Sequence, residues 1–70
     1  MTKQQFIKKC TKLNLLVIVN DLNDTTELID MSGKSDYRKV FSDDWGLIGW
    51  DARFKEVEFN LEQARKQQSK

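Results

Sequence analysis

Trp50, Phe54, Val57, Leu61 and Ala64 recur along the chain at spacings of four, three, four and three. On a helix of about 3.6 residues per turn these side chains share one stripe, and Phe59 projects nearly opposite it. The spacing predicts an amphipathic C-terminal helix, which Glu, Gln, Ala, Arg and Lys extend as strong helix formers. A strand competes over a shorter stretch, because Val57, Phe59 and Leu61 also alternate with Glu56, Glu58 and Asn60; the longer period favours the helix. Asp51 suits the helix start as a cap or first-turn acid, Glu62 and Lys66 form an i, i+4 pair, and Gln67 to Lys70 is expected to fray.

At the other end, Thr2 followed by Gln5 matches a capping box, and Phe6, Cys10 and Leu13 recur at helical spacing with Ile7 beside them. A short amphipathic helix is expected there, stopping at Asn14. Leu15 to Val19 is an unbroken apolar run, too short for an independent helix, and reads as a central strand buried on both faces. Two clusters of turn formers follow, Asn20 to Asp24 and Ser32 to Asp36. Between them, Asp24 with Glu27 allows a short helix, but Thr25, Thr26 and Ile29 with turns at both ends favour a strand over Thr25 to Met31. Tyr37 to Phe41 reads as a third strand and a sheet edge, with Tyr37, Lys39 and Phe41 on one face and Arg38 and Val40 on the other. Ser42 to Trp50 reads as an apolar loop containing two glycines. The predicted fold is α+β: one domain over residues 1 to 70, with an N-terminal helix, a three-stranded antiparallel β-meander and a C-terminal amphipathic helix packed on the sheet.

Length sharpens this picture. A chain of 70 residues buries only about 60% of its unfolded surface, so each large apolar side chain matters. Hydrophobic residues are 39% of the chain and charged residues 33%, the balance of a folded domain rather than a disordered one. With a single cysteine and no histidine, neither a disulfide nor a Cys/His metal site staples the fold within one chain. The polar segment Met1 to Gln5 and the absence of a long apolar run predict a cytoplasmic protein with neither signal peptide nor membrane span. Net charge is only +1, but it is segregated: Lys3, Lys8, Lys9 and Lys12 sit in the first 13 residues without an acid, and Asp21, Asp24, Glu27 and Asp30 follow without a base before Lys34.

Candidate chemistry is sparse. Without histidine, Ser-His-Asp and Cys-His nucleophile pairs cannot form, and Cys10, on an apolar stripe, reads as a buried unreactive thiol. Asp43, Asp44 and Asp51 lack the spacing of a carboxylate pair. Asp21, Asn23 and Asp24 differ from a calcium loop, because Thr26 stands where glycine is required and Ser32 where the bidentate acid is required. Gly46 to Gly49 lacks the lysine and hydroxyl of a phosphate loop. These absences predict a protein that is not an enzyme, with no cofactor, no metal and no small-molecule substrate.

The aromatic residues carry the positive signal: Phe41, Trp45, Trp50, Phe54 and Phe59 crowd the C-terminal half. Trp45, beside Asp44 and Gly46, and Phe59, between Glu58 and Asn60, are the two aromatics with the least reason to be buried. Exposed rings ringed by charge are common anchors of protein interfaces. The favoured reading is a small protein-binding module, an inhibitor or adaptor, with Trp45 and Phe59 as anchors and Asp43, Asp44, Arg53 and Glu58 around them. Its partner would be another protein or a second copy of the chain. The alternative is nucleic-acid binding through Lys3, Lys8, Lys9 and Lys12, supplemented by Arg53, Lys55, Arg65, Lys66 and Lys70. In size, lack of proline and histidine, and richness in Lys, Asn and Asp, the chain resembles small accessory proteins of phages and plasmids from low-GC bacteria, a resemblance of composition that covers no motif.

Overall fold

A computed structural model describes residues 1–43 and 49–68. It has five elements in chain order: α1 (Lys3–Lys12), β1 (Leu15–Asn20), β2 (Thr25–Asp30), β3 (Arg38–Ser42) and α2 (Trp50–Gln68). The strands form one antiparallel sheet in the order β1-β2-β3, and α1 lies against β1 and α2 on one side of it. The α+β arrangement and the strand over Thr25–Asp30 are those expected from the sequence.

Local chemistry explains where the elements begin and end. The Thr2 hydroxyl accepts from the Gln5 N–H while the Gln5 side chain accepts from the Thr2 N–H, closing the capping box at the start of α1. Asn14, at φ 64°, takes the left-handed conformation that turns the chain from α1 into β1. In the β1–β2 turn, Asn20 Oδ1 accepts from the N–H groups of Leu22 and Asn23, and Asp24 is left-handed at φ 51°. Gly33, at φ 81°, supplies the positive φ of the β2–β3 connection at no steric cost.

The core is built from one residue set on each element: Phe6 and Cys10 of α1, Leu15 of β1, Leu28 of β2, Phe41 of β3, and Val57 and Leu61 of α2. Phe6 is its hub, with ring centroids 5.0 Å from Trp50 and 6.2 Å from both Phe41 and Phe54. The stripe of α2 faces inward as its period predicts, with Trp50 and Phe54 packed on the rim of the core.

Leu15 to Val19, expected to be a central strand buried on both faces, is instead an outer strand with one face open. The sheet has two edges, β1 and β3, and the doubly paired strand is β2. An apolar run records a demand for burial on both faces, but both helices lie on the same side, so only one face can be met.

A buried ion pair locks the end of the fold that the helices approach last. The Asp30 side chain is closed to solvent; its Oδ1 accepts from Arg65 Nη2 at 3.1 Å and from the Ser32 N–H at 2.8 Å, and its Oδ2 accepts from Arg65 Nε at 3.1 Å and from the Ser35 hydroxyl. Arg65 Nη2 also donates to the Leu13 carbonyl at 2.6 Å. The hydrogen bonds from Arg65, opposed by burial and reinforced by Ser35 and Ser32, hold the Asp30 carboxyl well below the usual carboxylate range. A carboxyl depressed in the folded state contributes stability above its unfolded pKa, and this is lost as pH falls toward the folded value. Asp30→Asn should therefore cost about 3 kcal/mol at neutral pH, measured by urea unfolding, and its deficit against the unsubstituted protein should shrink below about pH 4. A pH-independent deficit would show that the charge of Asp30 is not what matters.

Candidate interaction surface

The register places two sets of side chains on opposite faces of the sheet. Leu15, Val17, Thr26, Leu28, Asp30, Lys39 and Phe41 point toward the helices. Leu16 pairs with Ile29 and Ile29 with Arg38; Ile18 pairs with Glu27 and Glu27 with Val40. These two rows form the other face, where Leu16 is 44% exposed, Ile18 42% and Val40 53%. Met31, one residue beyond β2, extends the exposed apolar surface. Glu27 and Arg38 form an ion pair across this face, so the surface is an aliphatic patch crossed by one charge pair. Exposed aliphatics scattered singly are ordinary, but a contiguous set on a bare sheet face marks an interaction site.

The patch runs to a free strand edge. Met31 donates to the Asn14 carbonyl at 2.9 Å, so Asn14 and Met31 are a hydrogen-bonded pair in the β1–β2 ladder. Alternation along the ladder then directs the backbone groups of Leu16, Ile18 and Asn20 toward β2, and those of Leu15, Val17 and Val19 away from it. No hydrogen bond among the described residues engages these outward groups. Long edge strands are normally blunted by lysine, proline or a bulge, and Leu15 to Val19 has none of these. The opposite edge carries Arg38 and Lys39 on a shorter strand.

The residues singled out from the sequence are dispersed. Trp45 and Asp44 lie outside the described residues, as does most of the expected apolar loop. Phe59 is 63% exposed on the outer side of α2, with exposed Glu58 beside it. Asp43 is engaged within the protein: its carboxylate accepts from Lys3 Nζ and from the Thr26 hydroxyl at 2.8 Å. Burial pushes the Asp43 carboxyl up, but the bonds from Lys3 and Thr26 outweigh it and hold the group below its ordinary value. Arg53, expected at the rim of an interface, is buried with its guanidinium 4.2 Å from the Trp50 ring centroid. The indole face accepts the cation and lets the long side chain pack inward, which spacing alone does not reveal. The N-terminal lysines are also divided: Lys3 pairs with Asp43, whereas Lys8, Lys9 and Lys12 are exposed, with Lys9 5.4 Å from the Phe54 ring centroid. Sequence reasoning missed the open face, because Leu16 and Ile18 read as part of a strand buried on both faces until the helices are seen to share one side.

Among the described residues, no group of three or more His, Cys, Asp or Glu side chains could hold a metal ion. A cavity of about 570 Å³ lies beside Leu13, Lys34, Glu58, Leu61, Glu62 and Arg65; Arg65 is already committed to Asp30 and the Leu13 carbonyl. Burial pushes the Tyr37 hydroxyl up to about 12, with the charges of Glu56 and Cys10 adding to the shift. No described helix is long and apolar enough to cross a membrane. The Cys10 thiol is buried, and burial raises it to about 12. At pH 8 it should react with a thiol-directed disulfide reagent at least about 100-fold more slowly in the native protein than in urea, and fast native labelling would contradict its burial. No protein-family model, curated protein or solved structure matches the chain, so its functional reading rests on its own geometry.

Proposed function

We propose that this chain is a small non-enzymatic protein-binding module, an inhibitor or adaptor, whose principal contact surface is the bare face of the sheet. The observation that carries this reading is the exposure of Leu16, Ile18 and Val40, with half-buried Ile29 on the same face, beside an unpaired, uncharged strand edge. In a protein this small, apolar surface kept in water is withheld from a core that needs it. A partner that covers the patch recovers that burial. Phe59 is a separate feature: α2 packs on the helix side of the sheet, and Phe59 faces outward from it, so one flat partner surface cannot engage both.

Nucleic-acid binding is the weaker reading, because Lys3 is paired with Asp43 and the chain has no excess positive charge beyond +1.

The test is partner capture by immobilised protein, compared between the unsubstituted chain, Ile18→Lys and Phe59→Ala, with circular dichroism as the folding control. Both side chains are exposed, so neither change should cost more than about 1 kcal/mol of stability. Ile18→Lys should weaken capture by about 2 kcal/mol or more, roughly 30-fold, and Phe59→Ala should leave it largely intact. The reverse pattern would move the contact site to α2, and capture indifferent to both would remove the proposal.

A further inference from the structure

Among the described residues, Arg53 is a cation buried without a hydrogen-bond acceptor. It is 3% exposed, its Nε is closed to solvent with no partner, and it enters no described ion pair. Its two Nη atoms make no described hydrogen bond either, and they are not closed to solvent. Buried donors are almost always satisfied, so an exception of this kind calls for a physical reason. We propose that Arg53 and the first N–H groups of α2 form a binding site for a terminal phosphate group, carried by inorganic phosphate or by a small phosphate monoester. The site goes beyond the sheet-face reading and is independent of it, because it lies on the helix side of the sheet.

The inward stripe of α2 places the side chain. Arg53, Val57 and Leu61 follow one another at spacings of four, and all three are buried. Helical side chains tilt toward the N-terminus. The Arg53 guanidinium accordingly lies back over Trp50, the first residue of α2, 4.2 Å from its ring centroid. Stacking on the indole fixes the plane of the fork but uses none of its in-plane donors.

The same end of α2 has no side-chain cap among the described residues. The Gly49 carbonyl accepts from the Arg53 N–H at 3.3 Å, which puts Gly49 at the cap position, where it has no side chain to accept from the N–H groups that follow. The N–H groups of Trp50, Asp51 and Ala52 make no described hydrogen bond. Asp51, the acid of the first turn, is drawn instead to the Met1 ammonium at 2.7 Å. Nothing lies within 4 Å of the place where a Cβ on Gly49 would project, so there is room beside the cap.

Charge selects an anion. Two carboxylates stand near the site and both are committed elsewhere: Asp43, within electrostatic range of Arg53, accepts from Lys3 Nζ and from the Thr26 hydroxyl at 2.8 Å, and Asp51 holds the Met1 ammonium. Lys3 and the ammonium balance these two acids. Arg53 is left as the surplus positive charge, and the N-terminal end of the helix dipole adds about half a charge more. A carboxylate has two oxygens in one plane and would meet the fork alone. Phosphate is tetrahedral, so one pair of oxygens can meet the fork while another meets the helix N–H groups. A terminal phosphate keeps three free oxygens and can enter beside so deeply set an arginine, which a bridging diester cannot.

The experiment titrates the protein with inorganic phosphate against chloride at equal ionic strength and about pH 8, where phosphate is a dianion. Nitrogen–proton NMR follows the backbone amides and the Arg53 Nε–H. The expected result is saturable shifts at Arg53 Nε–H and at the amides of Trp50, Asp51 and Ala52, with dissociation at or below about 1 mM. Phenyl phosphate identifies the source: tighter binding than phosphate assigns a monoester, and equal or weaker binding assigns the free ion. Acetate and dimethyl phosphate should bind at least about tenfold more weakly, and equal binding of either would overturn the proposal. Arg53→Met keeps the length of the buried stem and should lose the shifts at the three amides. If that variant does not fold, the titration of the unsubstituted protein decides. Shifts that stay linear to about 50 mM, or that centre on Lys8 and Lys12, would show an adventitious ion only and remove the site.

Discussion

Asp30 sits at the end of β2 with its side chain closed to solvent, and a carboxylate in that place is tolerable only because Arg65, Ser32 and Ser35 all donate to it. Stripping water from a charge costs several kcal/mol unless the site returns the lost hydrogen bonds. Here they come from α2 and from the β2–β3 connection, and the same guanidinium reaches the carbonyl of Leu13 after α1. Three segments distant in sequence, at Leu13, Asp30 to Ser35 and Arg65, meet at the pair. The core beneath it, centred on Phe6, Leu28, Phe41 and Val57, is apolar and tolerant of small shifts, whereas the ion pair admits one arrangement. It ties the end of α2 to the end of β2 and to the turn after α1.

One-sided coverage is what produces the functional surface. With α1 over β1 and α2 beside it, Leu15, Thr26, Leu28, Asp30 and Phe41 are buried on the helix side, while Leu16, Ile18, Arg38 and Val40 on the other side are exposed. On β2 the bare face carries Thr25, Glu27 and Ile29, and on β3 it carries Arg38, Val40 and Ser42, a mixed set that water tolerates. On β1 it carries Leu16 and Ile18, and the strand's edge is equally unprotected. Face and edge thus share one strand, and the Glu27–Arg38 pair borders them.

Several elements were legible from local chemistry. The capping box of Thr2 and Gln5, the stop at Asn14, the alternation in Tyr37 to Phe41 and the 3.6-residue period of α2 each depend on neighbours a few residues apart, and each appears as read. The exposure of Phe59 followed from the same period. Asp30 and Arg65 were not legible as a pair, because 35 residues separate them and nothing in either neighbourhood marks its partner. Arg53 misleads for a related reason: a cationic residue on a helix reads as solvent-facing until an indole is placed beneath it.

Residue type and short-range spacing favoured the observed helices and strands, gave the inward stripe of α2 and the burial of Cys10, and excluded nucleophile pairs that need histidine. Tertiary structure alone decided that β1 is an edge, that its second apolar face is bare, and that the clusters at Asp43 and Arg53 are internal contacts. The reason is physical: an apolar strand states how much burial it seeks, but which of its faces is covered depends on where two helices dock, which contacts between residues distant in the sequence decide.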